Sequence, residues 1–213
     1  MENNKEHLET LSEIKGLMQR SSKFVSLSGM SGIAAGAVAI IGAVIISVYL
    51  HIGFFEQLPG MMSQSKDQLS VNMTFIFAVL FSVLILASIL TIYFSSRNAK
   101  SKNIVFWDSM AKKVFVNLFI FLITGGIFCM ILFYYEIYFL IVSAMLIFYG
   151  LALMNVSKFT FNEISQLGVI EIFLGIFAAF VTVYPLLIWT VGFGMLHLIY
   201  GIYVYLKYER AER

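Results

Sequence analysis

Two ionisable side chains lie in stretches otherwise too apolar to carry them: Glu171 and His197, within QLGVIEIFLGIFAAFVTVYPLLIWTVGFGMLHLIYGIYVYLK, residues 166–207. An acid or an imidazole inside a membrane helix is costly and marks a functional site with a partner to be found. Gly168, Glu171, Gly175, Ala178, Ala179 and Thr182 recur at three- and four-residue spacing, as do Thr190, Gly194, His197 and Gly201, so each set shares one helix face. The pair reads as a hairpin turning at Tyr184 and Pro185, with two small-residue stripes meeting each other. Measured from that turn, Glu171 falls opposite Gly201, about 6 Å of rise below His197. Long side chains lean toward their own helix N-terminus, so the two diverge. The same lean carries the Tyr205 hydroxyl up to Glu171, and a Tyr205 to Glu171 hydrogen bond or water bridge is expected. Two roles stay open for the acid and the imidazole: relay or binding groups, or neutral groups hydrogen-bonded to neighbouring helices.

Other chemistries find less support. Ser31, in GMSG (29–32), has the form of an intramembrane hydrolase nucleophile with His197 as base. It sits near one end of the first apolar stretch, however, whereas His197 is near mid-membrane. No His, Cys, Asp or Glu residues recur at metal-ligand spacing, and no glycine-rich phosphate loop precedes a helix, so neither metal nor cofactor is expected. Cys129 is the sole cysteine, which precludes an intrachain disulfide.

The elements that position these residues are membrane spans. The chain is 60% hydrophobic and 12% charged, with 2 prolines in 213 residues and a mean hydropathy of +0.90. That composition belongs to a polytopic membrane protein. About 20 apolar residues cross a bilayer, and six stretches qualify: 27–50, 71–94, 114–133, 137–155, 167–184 and 186–206. The fold expected is an all-α membrane helical bundle of three hairpins. Of the 14 Lys and Arg, only Lys66 falls in a loop on the far side. By the positive-inside rule both termini are then cytoplasmic.

Residues 1–26 precede the spans. They carry a loose apolar face of Leu8, Leu11, Ile14 and Met18, a cytoplasmic amphipathic helix or a solvated lead-in. Met1 to Arg20 does not read as a cleavable signal, and 207–213 form a cytoplasmic tail. Gly29, Gly32, Gly36 and Ala39 place the first span deep in the bundle. Their spacing echoes Gly168, Glu171, Gly175 and Ala178, a hint of a repeated hairpin. The second span lacks glycine and reads as lipid-facing. Phe106 and Trp107 sit in a basic loop that suits anionic headgroups or a cytoplasmic protein partner, and not nucleic acid. In TFNE (160–163) the Thr160 and Glu163 spacing is a capping box. Ser28, Ser31, Ser88, Thr91, Asn117, Asn155, Glu171, His197 and Tyr205 gather in the cytoplasmic halves of their spans. They either line a cavity open to that side or merely follow the rise of polarity toward an interface.

The runs RSSKFVSLSGMSG (20–32), AMLIFYGLALMN (144–155) and GFGMLHLIYG (192–201), with KYE (207–209), resemble a family of uncharacterised bacterial six-span membrane proteins. That resemblance implies an inner-membrane location and no assigned activity. The glycine and proline layout of spans five and six is also similar, more weakly, to small six-span acid-resistance membrane proteins. The functions expected are a non-enzymatic protein binding a small molecule or lipid headgroup in a cytoplasm-facing pocket, or a small proton-linked carrier using Glu171 and His197. An intramembrane hydrolase comes last.

Overall fold

In a computed structural model the described residues, 28–55 and 66–210, form an all-α bundle. Among the described residues six helices are long and apolar enough to cross a membrane, which makes the chain a multi-pass membrane protein. They are α1 (Gly29–Leu50), α2 (Lys66–Ser101), α3 (Ser109–Tyr134), α4 (Ile141–Val156, with a 3-10 turn at each end), α5 (Asn162–Phe180) and α6 (Pro185–Glu209). The expected amphipathic face at residues 8–18 lies outside the described residues.

Local sequence accounts for the helix ends. The Ser28 hydroxyl accepts the Met30 amide at 3.2 Å to start α1, and Asp108 accepts the Ala111 amide at 2.7 Å to start α3, in each case satisfying a donor that the helix leaves open. Pro185 opens α6, where its missing N–H costs nothing. α5 departs from expectation: its N-cap is Phe161, with no side-chain cap, and Thr160 donates back to the Val156 carbonyl at 3.3 Å. The capping box does not form because Glu163 is drawn instead to Lys207 and Tyr208. α2 runs well beyond residues 71–94. At 36 residues it is about 54 Å long at 1.5 Å per residue, far more than a bilayer core requires, and no residue of its apolar middle is fully buried.

α6 is not a uniform helix. Two π segments, Thr190–Leu196 and Tyr205–Glu209, interrupt it. Extra residues per turn of this kind are uncommon and concentrate at functional sites.

Each small-residue stripe faces protein, but the last two helices do not meet through theirs. Gly29, Gly32 and Gly36 of α1 meet Gly194 and Gly201 of α6 backbone to backbone. A methyl group on Gly36 would stand 2.6 Å from the Gly194 carbonyl oxygen, and one on Gly201 2.7 Å from that of Gly29. Gly168 and Gly175 of α5 pack on α4 instead: Gly150 and Gly168 would each drive an added Cβ to 2.6–2.7 Å of the other's carbonyl. The Ser143 hydroxyl donates to the Gly175 carbonyl at 2.7 Å across the same seam. The bundle is thus two layers of three helices, α2–α1–α6 and α3–α4–α5. They join where Val142, Met145 and Leu146 of α4 meet Ile188, Trp189 and Phe193 of α6. α5 and α6 remain chain neighbours that touch over a small area. In lipid the side with the closest backbone approach wins, and each helix found a better-matched groove elsewhere.

An added methyl at the α1–α6 seam should therefore be felt, whereas Gly126, which faces nothing within 4 Å, is an internal control. Gly201→Ala is expected to cost about 1–3 kcal/mol through overpacking and to lower the thermal midpoint in detergent, while Gly126→Ala leaves it unchanged or raises it. Equal midpoints for the two variants would show that this seam does not hold the bundle.

Candidate functional site

Glu171 is the middle residue of the nineteen in α5 and is 0% exposed. It faces His197 of α6, whose Nδ1 lies 3.6 Å from Oε1. The two side chains therefore converge, contrary to the divergence expected from a turn at Tyr184 and Pro185. Counted from Tyr184 and Pro185 the acid would be level with about Leu198, not Gly201; because α5 ends at Phe180 and α6 begins at Pro185, it is level with about Gly194. The acid then starts above the imidazole, and the lean of each side chain toward its own helix start brings them together.

Three helices build the site. From α4, the Tyr149 hydroxyl lies 2.7 Å from His197 Nε2. From within α6, the Gly192 carbonyl lies 3.1 Å from His197 Nδ1. A carbonyl can only accept, so Nδ1 carries a proton, and in the neutral ring Nε2 accepts the Tyr149 O–H. This orientation depends on the π segment, which places Gly192 where its oxygen faces a side chain five residues on. Gly192 is required for a second reason: a methyl there would stand 2.9 Å from Glu171 Oε2. Phe193 lies over the imidazole with ring centroids 6.3 Å apart, and Tyr149 lies beside both rings.

Glu171 itself is the anomaly. At 3.6 Å its separation from Nδ1 is an ion-pair distance and too long for a hydrogen bond. Among the described residues neither carboxyl oxygen has a hydrogen-bond partner. The Tyr200 hydroxyl and the Trp189 indole nitrogen are likewise buried without one. Buried polar groups are nearly always satisfied, and each exception asks for an explanation.

The other sequence candidates lie elsewhere. Tyr205 shares no hydrogen bond with Glu171. Its backbone abuts Gly29 of α1, on the order of 15 Å along α6 from the level of Glu171. Asn155 donates to Asn117 at 2.9 Å, a separate α4–α3 link. Ser88 donates to its own helix at Leu84. Ser31 donates to the Ser28 carbonyl, and both ring nitrogens of His197 are engaged elsewhere, so the geometry assembles no serine nucleophile and base. The polar residues expected at one depth thus divide into unconnected groups. Tyr149 and Gly192 are the site residues that sequence reasoning missed. Tyr149 carried a signal, since it sits in an apolar span with a hydroxyl that needs a partner when buried.

At the end of the bundle where the described chain begins and ends, a second polar cluster ties α5 to α6. Glu163 accepts from Lys207 and, at 2.7 Å, from the Tyr208 hydroxyl. Phe161 stacks on the Tyr208 ring at 4.6 Å, and Glu209 accepts the Gly29 amide at the start of α1. No group of three or more His, Cys, Asp or Glu among the described residues is placed to hold a metal ion. No family model, curated protein or solved structure matches this chain.

The hydrogen-bond inventory orders the variants. Tyr149→Phe strips a buried imidazole nitrogen of its donor and is expected to cost about 1–3 kcal/mol. Glu171→Gln has no hydrogen bond to lose and should cost less. Unfolding curves of the two proteins in the same detergent check the order; a larger loss for Glu171→Gln would mean that the carboxyl is held by the ion pair.

Proposed function

We propose that this is a non-enzymatic integral membrane protein that binds a small molecule or a lipid headgroup at Glu171, His197 and Tyr149. The observation that supports this most is the fully buried Glu171 carboxyl, whose oxygens find no donor among the described residues. Hydrogen bonds to a bound partner resolve such an orphan, and a donor-rich group such as an amine or a hydroxyl is what a carboxylate accepts. The site is closed to solvent, so entry requires helices to part. The small contact between α5 and α6 offers a place where they can do so.

The positive-inside distribution supports cytoplasmic termini. In that orientation the Glu163, Lys207 and Tyr208 cluster is at the cytoplasmic surface, and the basic segment 97–113 is offered to anionic headgroups or a cytoplasmic protein partner. A bacterial inner-membrane location, and kinship with the six-span family resembled above, belong to the same proposal. Native mass spectrometry of the purified protein, with its copurified lipids and small molecules, is expected to show a bound species that Glu171→Gln loses while remaining folded. An identical bound set in both proteins would remove Glu171 from any binding role.

A second reading, a proton-linked carrier, is favoured by the succession of the Tyr149 hydroxyl, the imidazole and Glu171, hydrogen-bonded at the first step and 3.6 Å apart at the second. Phenol, imidazole and carboxyl each take and release a proton. Under this reading, proteoliposomes show a pH-driven flux of a small solute that Glu171→Gln abolishes. Flux undiminished in that variant would leave the binding protein as the surviving reading.

A further inference from the structure

We propose that the Glu171 and His197 pair exchanges protons with one face of the bundle only, the face bearing Glu163 and Tyr208, through Tyr200 and Tyr149. The proposal rests on the reading of Glu171 as the functional acid and deepens it by naming the route and its side.

On the side of the termini the groups form a descending series. Tyr149 and Tyr200 pack in one cluster with Leu153, Ile164, Leu167 and Leu196. The Tyr149 hydroxyl reaches His197, and Tyr200 lies about one turn along α6 from His197, in the direction of Tyr208. Tyr208 and Lys207 contact Glu163 directly, and Lys207 is largely exposed. Two members of the series, the Tyr200 hydroxyl and the Glu171 carboxyl, are buried with no hydrogen-bond partner among the described residues. The route requires internal water at these two groups, the usual partner of a buried polar atom that the protein leaves unsatisfied.

The opposite direction is mostly apolar. Between the pair and the α5–α6 turn lie Val142, Leu146, Leu174, Ala178, Ile188 and Phe193, none able to carry a proton, and the buried hydroxyls there, Ser143 and Thr190, are committed as donors to the Gly175 and Leu186 carbonyls. The buried Trp189 nitrogen on that side donates only and cannot relay. Among the described residues, the titratable or charged groups placed toward the pair are Tyr149 on α4, Glu163 on α5, and Tyr200, Lys207 and Tyr208 on α6. The α1 seam against α6 is glycine with Ile33 and Ile40 near His197.

The transfer balances. A solvent proton enters at the Glu163 and Tyr208 cluster and passes through water and the Tyr200 hydroxyl, each taking one proton and releasing one. Tyr149 hands its hydroxyl proton to Nε2 and recovers one from the water behind it. The imidazolium then releases the Nδ1 proton to Glu171 Oε1, so one bulk proton is taken up, a carboxylate becomes a neutral carboxyl and the ring is left protonated at Nε2 instead of Nδ1; return of the proton by the same route restores the starting tautomer.

The test is infrared difference spectroscopy on full-length protein in liposomes of uniform insertion. The Glu171 carbonyl band is identified as the one missing in Glu171→Gln. A pH jump on the face bearing Glu163 is expected to move that band promptly, whereas a jump on the other face moves it only after the interior equilibrates. Tyr200→Phe breaks no hydrogen bond in the structure, and it should slow the prompt response by on the order of tenfold or more. Equal response from both faces, a band that never responds, or an unchanged rate in Tyr200→Phe overturns the route. Sidedness in the wild type is read without any variant of the route. Loss of the binding role would appear separately, as the same bound species in wild type and Glu171→Gln.

Discussion

Close approach of helix backbones at glycine governs this structure. Lipid offers helices no hydrophobic reason to associate, so the attraction comes from dispersion over matched surfaces and from the few polar contacts between them. Gly29, Gly32 and Gly36 against Gly194 and Gly201 make one such surface, and Gly150 against Gly168 makes the other. These seams set the position of α6 from α1 and the position of α5 from α4. The spacing between α5 and α6, and with it the 3.6 Å between His197 and Glu171, is therefore imposed from outside the pair. A buried acid and imidazole held by their neighbours in this way do not need to attract each other to stay in place. That leaves their bonding capacity free for other partners.

The same logic explains the polarity of the interior. His197 is engaged at both nitrogens, one to Gly192 and the other to Tyr149, and so its direction is fixed and its resting tautomer carries the proton on Nδ1. Glu171 is fixed in place and uncommitted in bonding. Rigid support beneath an unsatisfied group is how binding sites are preorganised. The π segment at Thr190–Leu196 contributes by turning a backbone carbonyl toward a side chain, a job that a regular α-helix, with its carbonyls bound along the axis, does not do.

Polar ties at the end of the bundle near the termini act differently. Lys207, Tyr208 and Glu163 join α5 to α6 at the surface, and Glu209 reaches the first amide of α1. Exposed ion pairs contribute little stability on their own. Their effect here is to hold the last π segment in register with two helix starts, where helix N-termini favour a carboxylate.

The sequence alone determined the all-α class, the six apolar helices and the presence of one acid and one imidazole in small-residue stripes, because apolar length and residue type are local properties. It also showed that each stripe faces protein. What only the tertiary structure decided is which protein each stripe faces: α1 for Gly194 and Gly201, α4 for Gly168 and Gly175. It decided too that Tyr149, and not Tyr205, reaches the site. Partner choice among helices depends on shape matching over whole surfaces, and stripes made of the same few small residues are nearly interchangeable as text. Register between α5 and α6 turned on where one helix stops, at Phe180 rather than Tyr184, a shift of one turn. At 3.6 residues per turn, that is enough to convert two diverging side chains into a facing pair.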